Sequence, residues 1–409
     1  MYGAERVRRG LDRLEALWAE RHAADDDGVW HALRARMCGE SDAPLPAVRP
    51  LPLASRVGRM VDLLAATGFA FGRSAPGSIP EGAVYLNVGQ ILLAVPWLFH
   101  WLKRRRDVAA VFMLHDVIPL ETPQYVSLAS ARHHATMVAT AARHADGLIV
   151  TTEHARATVT TALSRHGTTE LPTLVRGLPT APVFCGDALP AADLDGIRYF
   201  VICGTIEPRK NHLLLHAVWM RLLQRLGDAA PHLVIVGSPG WRSGDILDRL
   251  AGCVATCRHV HPVSGLSSPA LKRLLAGARG LLMPSHNEGF GLPILEARQL
   301  GVPVVASSIP AHREVVDASA VLLAPDDVAG WEAAILALSQ GERPSVAAAA
   351  VAPKDTSDYA ADVYAFLEAC AHRRAVSIGR SGRSLPAHGH DTMDPSESAP
   401  GHVSAIQNP

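Results

Sequence analysis

The sequence predicts an α/β chain of two domains, each built on a parallel sheet, from three observations. Short apolar runs of strand length alternate with segments of helical period along most of the chain, which is the pattern of helices covering both faces of parallel strands. A chain of 409 residues with 48% hydrophobic content is long enough to bury two cores. Thr180 to Gly196, with its prolines, alanines and aspartates, separates two such alternating runs and reads as a linker.

Taken in order, residues 1–22 read as a helix with Val7, Leu11, Leu14 and Leu17 on its apolar side. Arg6, Arg8, Arg9 and Arg13 then form either a solvated face or a contact to an acceptor or lipid phosphate. Residues 38–56 and 72–82 are rich in Pro, Gly and Ser and read as loops, with a helix from Val57 to Phe71 between them. Ala83 to Asn87 is a short strand. Gln90 to Arg106 reads as a helix ending in Lys103-Arg104-Arg105-Arg106, where basic residues suit the helix terminus. Trp97, Leu98, Phe99 and Trp101 upstream make peripheral contact with an anionic membrane the other reading of that end. Val108 to Leu114 is a continuous apolar run, the mark of a strand covered on both faces. It ends in His115-Asp116, at the strand end where α/β folds place ligands. Ser127 to His144 and Glu153 to His166 read as helices around the strand Gly147 to Thr151.

In the second half, the strand Arg198 to Cys203 leads into the turn GTIEPRKN. Gly204 permits a tight turn, Arg209 and Lys210 project cations suited to a diphosphate, and Asn211 reads as the cap of a helix to about Leu226. Strands follow at His232 to Gly237 and Arg258 to Val263. Trp241 between them reads equally as a buried anchor or a crevice wall. A helix from Ser267 to Ala276 precedes the strand Leu281 to Met283. The loop from Ser285 to Gly291 then opens a helix near Leu292, with Pro293 in its first turn. Glu288 in the loop and Glu296 one turn into the helix face one crevice. The N–H groups of Gly289, Phe290, Gly291 and Leu292 are free at the helix start and attract phosphate or sugar hydroxyls. Glu296 has the reach to accept two hydrogen bonds from a vicinal diol such as that of a ribose. Val302 to Ala306, Ala320 to Leu323 and Val328 to Leu338 complete the alternation. Asp355 to Arg373 reads as a final helix, and residues 375–409 as a disordered tail.

Composition excludes several classes. Formal net charge is zero, which argues against nucleic acid as a partner. Cys253 and Cys257 near His259 and His261 fit no zinc spacing, so no metal is expected, and the remaining cysteines outline no disulfide framework. Neither a Walker loop nor a GxGxxG turn is present. The charged N-terminus is no secretory signal, and Asn87, Gln90, Pro96 and His100 interrupt the most apolar stretch. A cytoplasmic location follows as the expectation.

EGFGLPILE resembles the E-x7-E motif of retaining GT-B glycosyltransferases of family 4, GTIEPRKN their donor-phosphate loop, and LHDVIPLETPQY a segment of the mannosyl- and related transferases among them. The resemblance implies two Rossmann-like domains facing a central cleft, an acceptor-side domain over 1–190 and a nucleotide-sugar-binding domain over 197–350. It places a helix at 355–373 that crosses back to the first domain. It also implies that Glu288 and His115 contact the transferred sugar, Glu296 the ribose, and Gly204, Arg209 and Lys210 the diphosphate. Thr205 stands in that donor loop where many relatives carry an arginine. The amides of Gly289, Phe290, Gly291 and Leu292 would hold sugar and phosphate oxygens, and no metal cofactor is needed. The expected donor is a nucleotide sugar, GDP-mannose as the first choice. The expected acceptor is a glycan or polyprenyl-diphosphate-linked oligosaccharide of a bacterial surface polysaccharide, met at the inner face of the membrane.

The chain departs from the resemblance at its start, where no apolar strand precedes Met1-Tyr2-Gly3. Either that strand lies upstream or it has been lost, and a non-catalytic nucleotide-sugar-binding or scaffold protein of the same fold is therefore the rival reading. A GT-B epimerase is a third, and fits LHDVIP poorly.

Overall fold

The computed structural model describes residues 27–49, 77, 79–185, 194–251, 258–340 and 356–381. The expected helices at 1–22 and 57–71, the question of a first strand, and Cys253 and Cys257 lie outside the described residues.

Two parallel sheets organise the chain. The first has the order β1 (Val84–Asn87), β2 (Ala109–Met113), β3 (Gly147–Val150), β4 (Thr173–Val175). The second holds β5 (Tyr199–Cys203), β6 (His232–Val236), β7 (Val260–Val263), β8 (Gly280–Met283), β9 (Val304–Ser307) and β10 (Val321–Leu323) in the order β10-β9-β8-β5-β6-β7. The order reverses between β5 and β8. A crevice therefore opens at their carboxyl ends, between the loop that leaves β5 and the loop that leaves β8.

Strand alternation divides the second domain's core in two. Tyr199, Val201 and Cys203 face one side, against α1 (Gly28–Met37), α6 (Ser268–Gly277) and α7 (Leu292–Gln299). Phe200 and Ile202 face the other, against Trp219 of α4 (His212–Leu226), Ile246 of α5 (Ser243–Ala251) and Trp331 of α9 (Val328–Ser339). Trp219 and Trp331 are fully buried, and each is worth on the order of 3 kcal/mol in apolar surface removed from water. Trp219 keeps its indole N–H satisfied on the Pro231 carbonyl at 2.8 Å.

In the first domain, α2 (Leu128–His144) and α3 (Glu153–Ser164) cover one face of the sheet. On the other face, Val111, Met113 and Ile149 meet Val363, Phe366, Leu367 and Cys370 of α10 (Thr356–Ser381). The last described helix, leaving the second domain, thus closes the core of the first.

Three expectations need correction. Gln90 to Arg106 is not one α-helix but two 3-10 helices, Gln90–Ala94 and Pro96–Lys103. Pro96 cannot donate to the preceding turn and holds Val95 out of helical geometry, at φ −117°, ψ 76°. Asn211 occupies the cap position of α4 at φ 58° but makes no capping bond. Its amide instead donates to the carbonyls of Pro284 (3.1 Å) and Pro325 (2.7 Å), joining the loops after β5, β8 and β10. The last helix does not end near Arg373 but runs to Ser381. Arg374 fastens that extension, donating to the Arg106 carbonyl (2.8 Å) and pairing with Asp146 (2.9 Å).

α10 packs closely over Gly147, where a Cβ would meet Cys370 Sγ at 2.7 Å and the Phe366 ring at 3.1 Å. Gly147→Val is expected to lower stability by about 1–3 kcal/mol through overpacking, and Cys370→Ala on the same chain to recover part of that loss. Denaturant midpoints of the single and double variants read both; a Gly147→Val chain as stable as the native one would place α10 off this face.

Candidate active site

The two loops at the crevice meet through one carboxylate. Glu288, in the loop after β8, is 6% exposed. Its Oε1 accepts from Lys210 Nζ at 2.5 Å and from Ser285 Oγ at 2.6 Å, and its Oε2 from Arg209 Nη1 at 2.8 Å. Burial alone would raise its pKa. The adjacent Lys210 and Arg209 charges and the hydrogen bonds of Lys210 and Ser285 outweigh burial and hold the carboxyl well below its usual range. The nearby backbones are joined as well, since His286 N–H donates to the Arg209 carbonyl at 2.9 Å.

The two cations differ in what they have left. Arg209 gives Nε and Nη2 to Glu207 and Nη1 to both Glu288 and the Asn287 carbonyl, so most of its fork is engaged within the protein. Lys210 spends one ammonium proton on Glu288 and keeps two. Gly204, at φ +144°, makes room for it: a Cβ there would stand 3.1 Å from Lys210 Cε and 3.2 Å from Nζ. Thr205 is exposed, with its methyl against Gly240.

A cleft of about 330 Å³ lies between the domains, with Lys210, Arg209, Glu288 and the Gly289 to Leu292 backbone on one wall and His115 and Asp116 on the other. His115 stands just beyond β2; its N–H donates to Gln90 Oε1 at 3.0 Å. The N–H groups of Gly289 to Leu292 take no hydrogen-bond partner among the described residues. Gly291 is the cap residue of α7 at φ +110°, a left-handed conformation that favours glycine, and Gly289 to Leu292 line the cleft at this helix start. Gly289 runs so close to the first domain that a Cβ would stand 2.9 Å from Asp116 Oδ2. The wall is thus backbone, with phosphate-sized donors at a helix terminus.

Glu296, the fifth residue of α7, is half-buried, and its carboxylate has no hydrogen-bond partner among the described residues. It is outside the lining of that cleft, close enough to Cys203 to add to what burial already does in raising that thiol. Burial pushes the Glu296 carboxyl up to about 7. The acids at the two ends of the E-x7-E spacing are therefore in opposite states, one ionised and locked, the other desolvated and unpartnered.

The structure brings together His115, Arg209, Lys210, Glu288 and the Gly289 to Leu292 loop, sets Gly204 beneath Lys210, leaves Glu296 one turn behind and turns Thr205 outward. Sequence reading overlooked Ser285 and Glu207, which hold Glu288 and Arg209. The signal for Glu207 is its place two residues before Arg209. Thr151 and Thr152, whose hydroxyls both reach the Gly289 carbonyl at 3.2 Å, carried only the mark of a helix cap. Among the described residues, no group of His, Cys, Asp and Glu could hold a metal ion, and no helix is long and apolar enough to cross a membrane.

Two parallel-sheet domains facing a cleft with these loops define the GT-B class. Residues 197–341 match the family described as glycosyl transferases group 1. It is similar to the serotype-specific mannosyltransferase WbdA of Escherichia coli, 28% identical over 244 residues that are 55% of this chain and 29% of that protein. It is also similar to the O-antigen chain mannosyltransferase B of Escherichia coli, 30% identical over 244 residues, 59% of this chain and 62% of that one. The chain therefore spans under a third of the first relative's length and about three fifths of the second's. The sucrose-phosphate synthase of Thermosynechococcus elongatus shares the fold at a TM-score of 0.50 and 19% identity, over 84% of this chain and 82% of that one.

Because the folded pKa of Glu296, about 7, lies above its ordinary 4.5, its stabilising effect is complete below pH 4.5 and is lost as pH rises through 7. The Glu296→Gln chain, which cannot ionise there, is expected to gain on the native one by about 1–3 kcal/mol between those limits and then hold level. Urea midpoints at pH 4.5, 6 and 8 test this; a difference independent of pH would mean that Glu296 is already ionised in the folded chain.

Proposed function

We propose that the chain is a retaining glycosyltransferase that moves a sugar, mannose in the first instance, from a nucleoside-diphosphate donor to a hydroxyl of a surface-polysaccharide glycan or its polyprenyl-diphosphate-linked precursor. The observation that carries this reading is the convergence of Lys210, with donors to spare, and the unpartnered amides of Gly289 to Leu292 on one wall of the interdomain cleft. The mannosyl class rests on the relatives named above; their partial coverage leaves acceptor and linkage to experiment.

In this reading the nucleotide lies on the second domain, with Glu296 toward the ribose and the diphosphate at the start of α7. The remaining protons of Lys210 and the loop amides meet the charge that develops on the leaving phosphate, a donor set already aimed before reaction. Arg209 and Glu288 keep that set in place, and Glu288 approaches the sugar from beneath. His115 closes the cleft from the first domain near the reacting carbon. The acceptor hydroxyl attacks from the face the diphosphate leaves, and the departing phosphate oxygen takes its proton. GDP-mannose supplies the donor chemistry, and no step calls on a metal. An acceptor on a lipid carrier places the protein at the inner face of the membrane.

A thermal-shift screen of GDP- and UDP-sugars followed by a transfer assay tests the proposal, since a ligand of the native state raises its melting temperature. Lys210→Ala is expected to lower kcat/KM by ~10²-fold with the fold intact, as for loss of a preorganised donor to developing charge. Donor binding by the native chain without transfer or donor hydrolysis would point instead to the scaffold reading.

A further inference from the structure

The start of α3 is held from the other domain. Thr152 caps this helix, its hydroxyl oxygen accepting from Ala155 N–H at 2.9 Å and its carbonyl from Arg156 N–H at 2.9 Å. The two outermost amides, those of Glu153 and His154, donate to Glu314 Oε2 at 2.7 Å and Oε1 at 2.9 Å. Glu314 belongs to α8 (Pro310–Val315) of the second domain, so a carboxylate from one domain completes the terminus of a helix in the other. One residue upstream, the Thr151 hydroxyl lies between the carbonyls of His115 (3.3 Å) and Gly289 (3.2 Å), one from each wall of the cleft. The Thr152 hydroxyl reaches the same Gly289 carbonyl. Beside them, the Phe290 ring lies so close to Gly177 that a Cβ there would stand 2.9 Å from it.

α8 also touches the loop from behind. His312 is fully buried, hydrogen-bonded through Nδ1 to the Ser307 carbonyl at 3.0 Å. Its Cδ2 would stand 3.6 Å from a Cβ on Gly291. The Gly289 to Gly291 backbone is thus fixed at one end by the threonines of the first domain and backed at the other by the helix that carries Glu314.

We infer that Thr151, Thr152 and Glu314 form an interdomain clasp that positions the Gly289 to Leu292 amides. They are positioning residues: they act through the loop, and closing the domains sets the donor wall. The kinetic half of this inference rests on the transferase reading; the structural half does not.

Hydrogen exchange of the full chain, with and without GDP, tests the clasp directly. In the native chain the amides of Glu153 and His154 are expected to be protected, and more so with GDP. Glu314→Ala is expected to remove that protection and also to speed exchange in the peptide covering 286–292. Unchanged exchange in that peptide would overturn the inference, because Glu314 would then be only a helix cap. Thr151→Val, with Thr151→Ser as the conservative rescue, gives a second reading at a position outside the helix.

For turnover, Glu314→Ala is expected to raise donor KM ~3–10-fold with kcat within about twofold, since saturating donor restores the closed state. An unchanged KM with lowered kcat would also overturn it. If the native chain transfers no sugar, the transferase reading fails while the exchange experiment still decides the clasp.

Discussion

The structure of the second domain at its crevice depends on one buried carboxylate. Glu288 could not remain ionised at 6% exposure without partners. It has three, drawn from the loop after β5 and from its own loop. Removing one side of such an arrangement strands the other and costs about 3–5 kcal/mol, whereas exchanging the whole set for apolar groups would cost little. The pairing therefore adds less to stability than to register: it fixes which part of one loop faces which part of the other. The strand order makes this necessary. Adjacent strands β5 and β8 are far apart in sequence, and at the switch point between them the chain itself does not tie one loop to the other.

Glu207, Glu288, Arg209 and Lys210 together carry no net charge. Their attraction for phosphate is accordingly not a long-range field but a matter of which donors remain free at short range. That shifts the weight to Lys210 and to the helix-terminal amides, and makes Arg209 a brace more than a ligand. Lys210 itself is only 8% exposed, and the missing side chain of Gly204 leaves room for its Cε and Nζ. Glu296 follows the opposite logic. Among the described residues no cation offsets its burial, and its charged form awaits a partner brought from outside.

The alternation of strands and helices was legible because parallel strands buried on both faces are written as apolar runs; β2 and β5 are buried at every position. The loop at 284–291 was legible because glycine, proline and acid positions in it answer local constraints. Elements governed by neighbours were not. Helical periodicity from Gln90 to Lys103 was real, but Pro96 divided it. Asn211 looked like a cap by its position, and only the folded chain brings the Pro284 and Pro325 carbonyls within its reach. The clasp was invisible for the same reason: Thr151 and Glu314 are distant in sequence, and each alone reads as an ordinary polar residue at a helix end.

The path of the chain limits how the cleft can change. Among the described residues it crosses from α1, packed on the second sheet, to β1 of the first, passes back after β4 and returns as α10, and the last two passages are joined where Arg176, just beyond β4, pairs with Asp362 at 3.0 Å. Phe366 and Cys370 are embedded in the first domain's sheet, so α10 travels with that domain. A rotation of one domain against the other is least resisted about these passages. The threonines and Glu314 belong to different bodies in such a motion, and their bonds are among those it breaks, with the Asn287–Thr122 hydrogen bond at 3.5 Å and the Tyr125–His286 stack. Opening the cleft would then free the Gly289 carbonyl and the α3 terminus together, while leaving Glu288 and its cations intact within the second domain. The charged cluster is in this sense a permanent fixture, and the hydroxyl–carbonyl contacts are the part of the site that a moving domain can make and unmake.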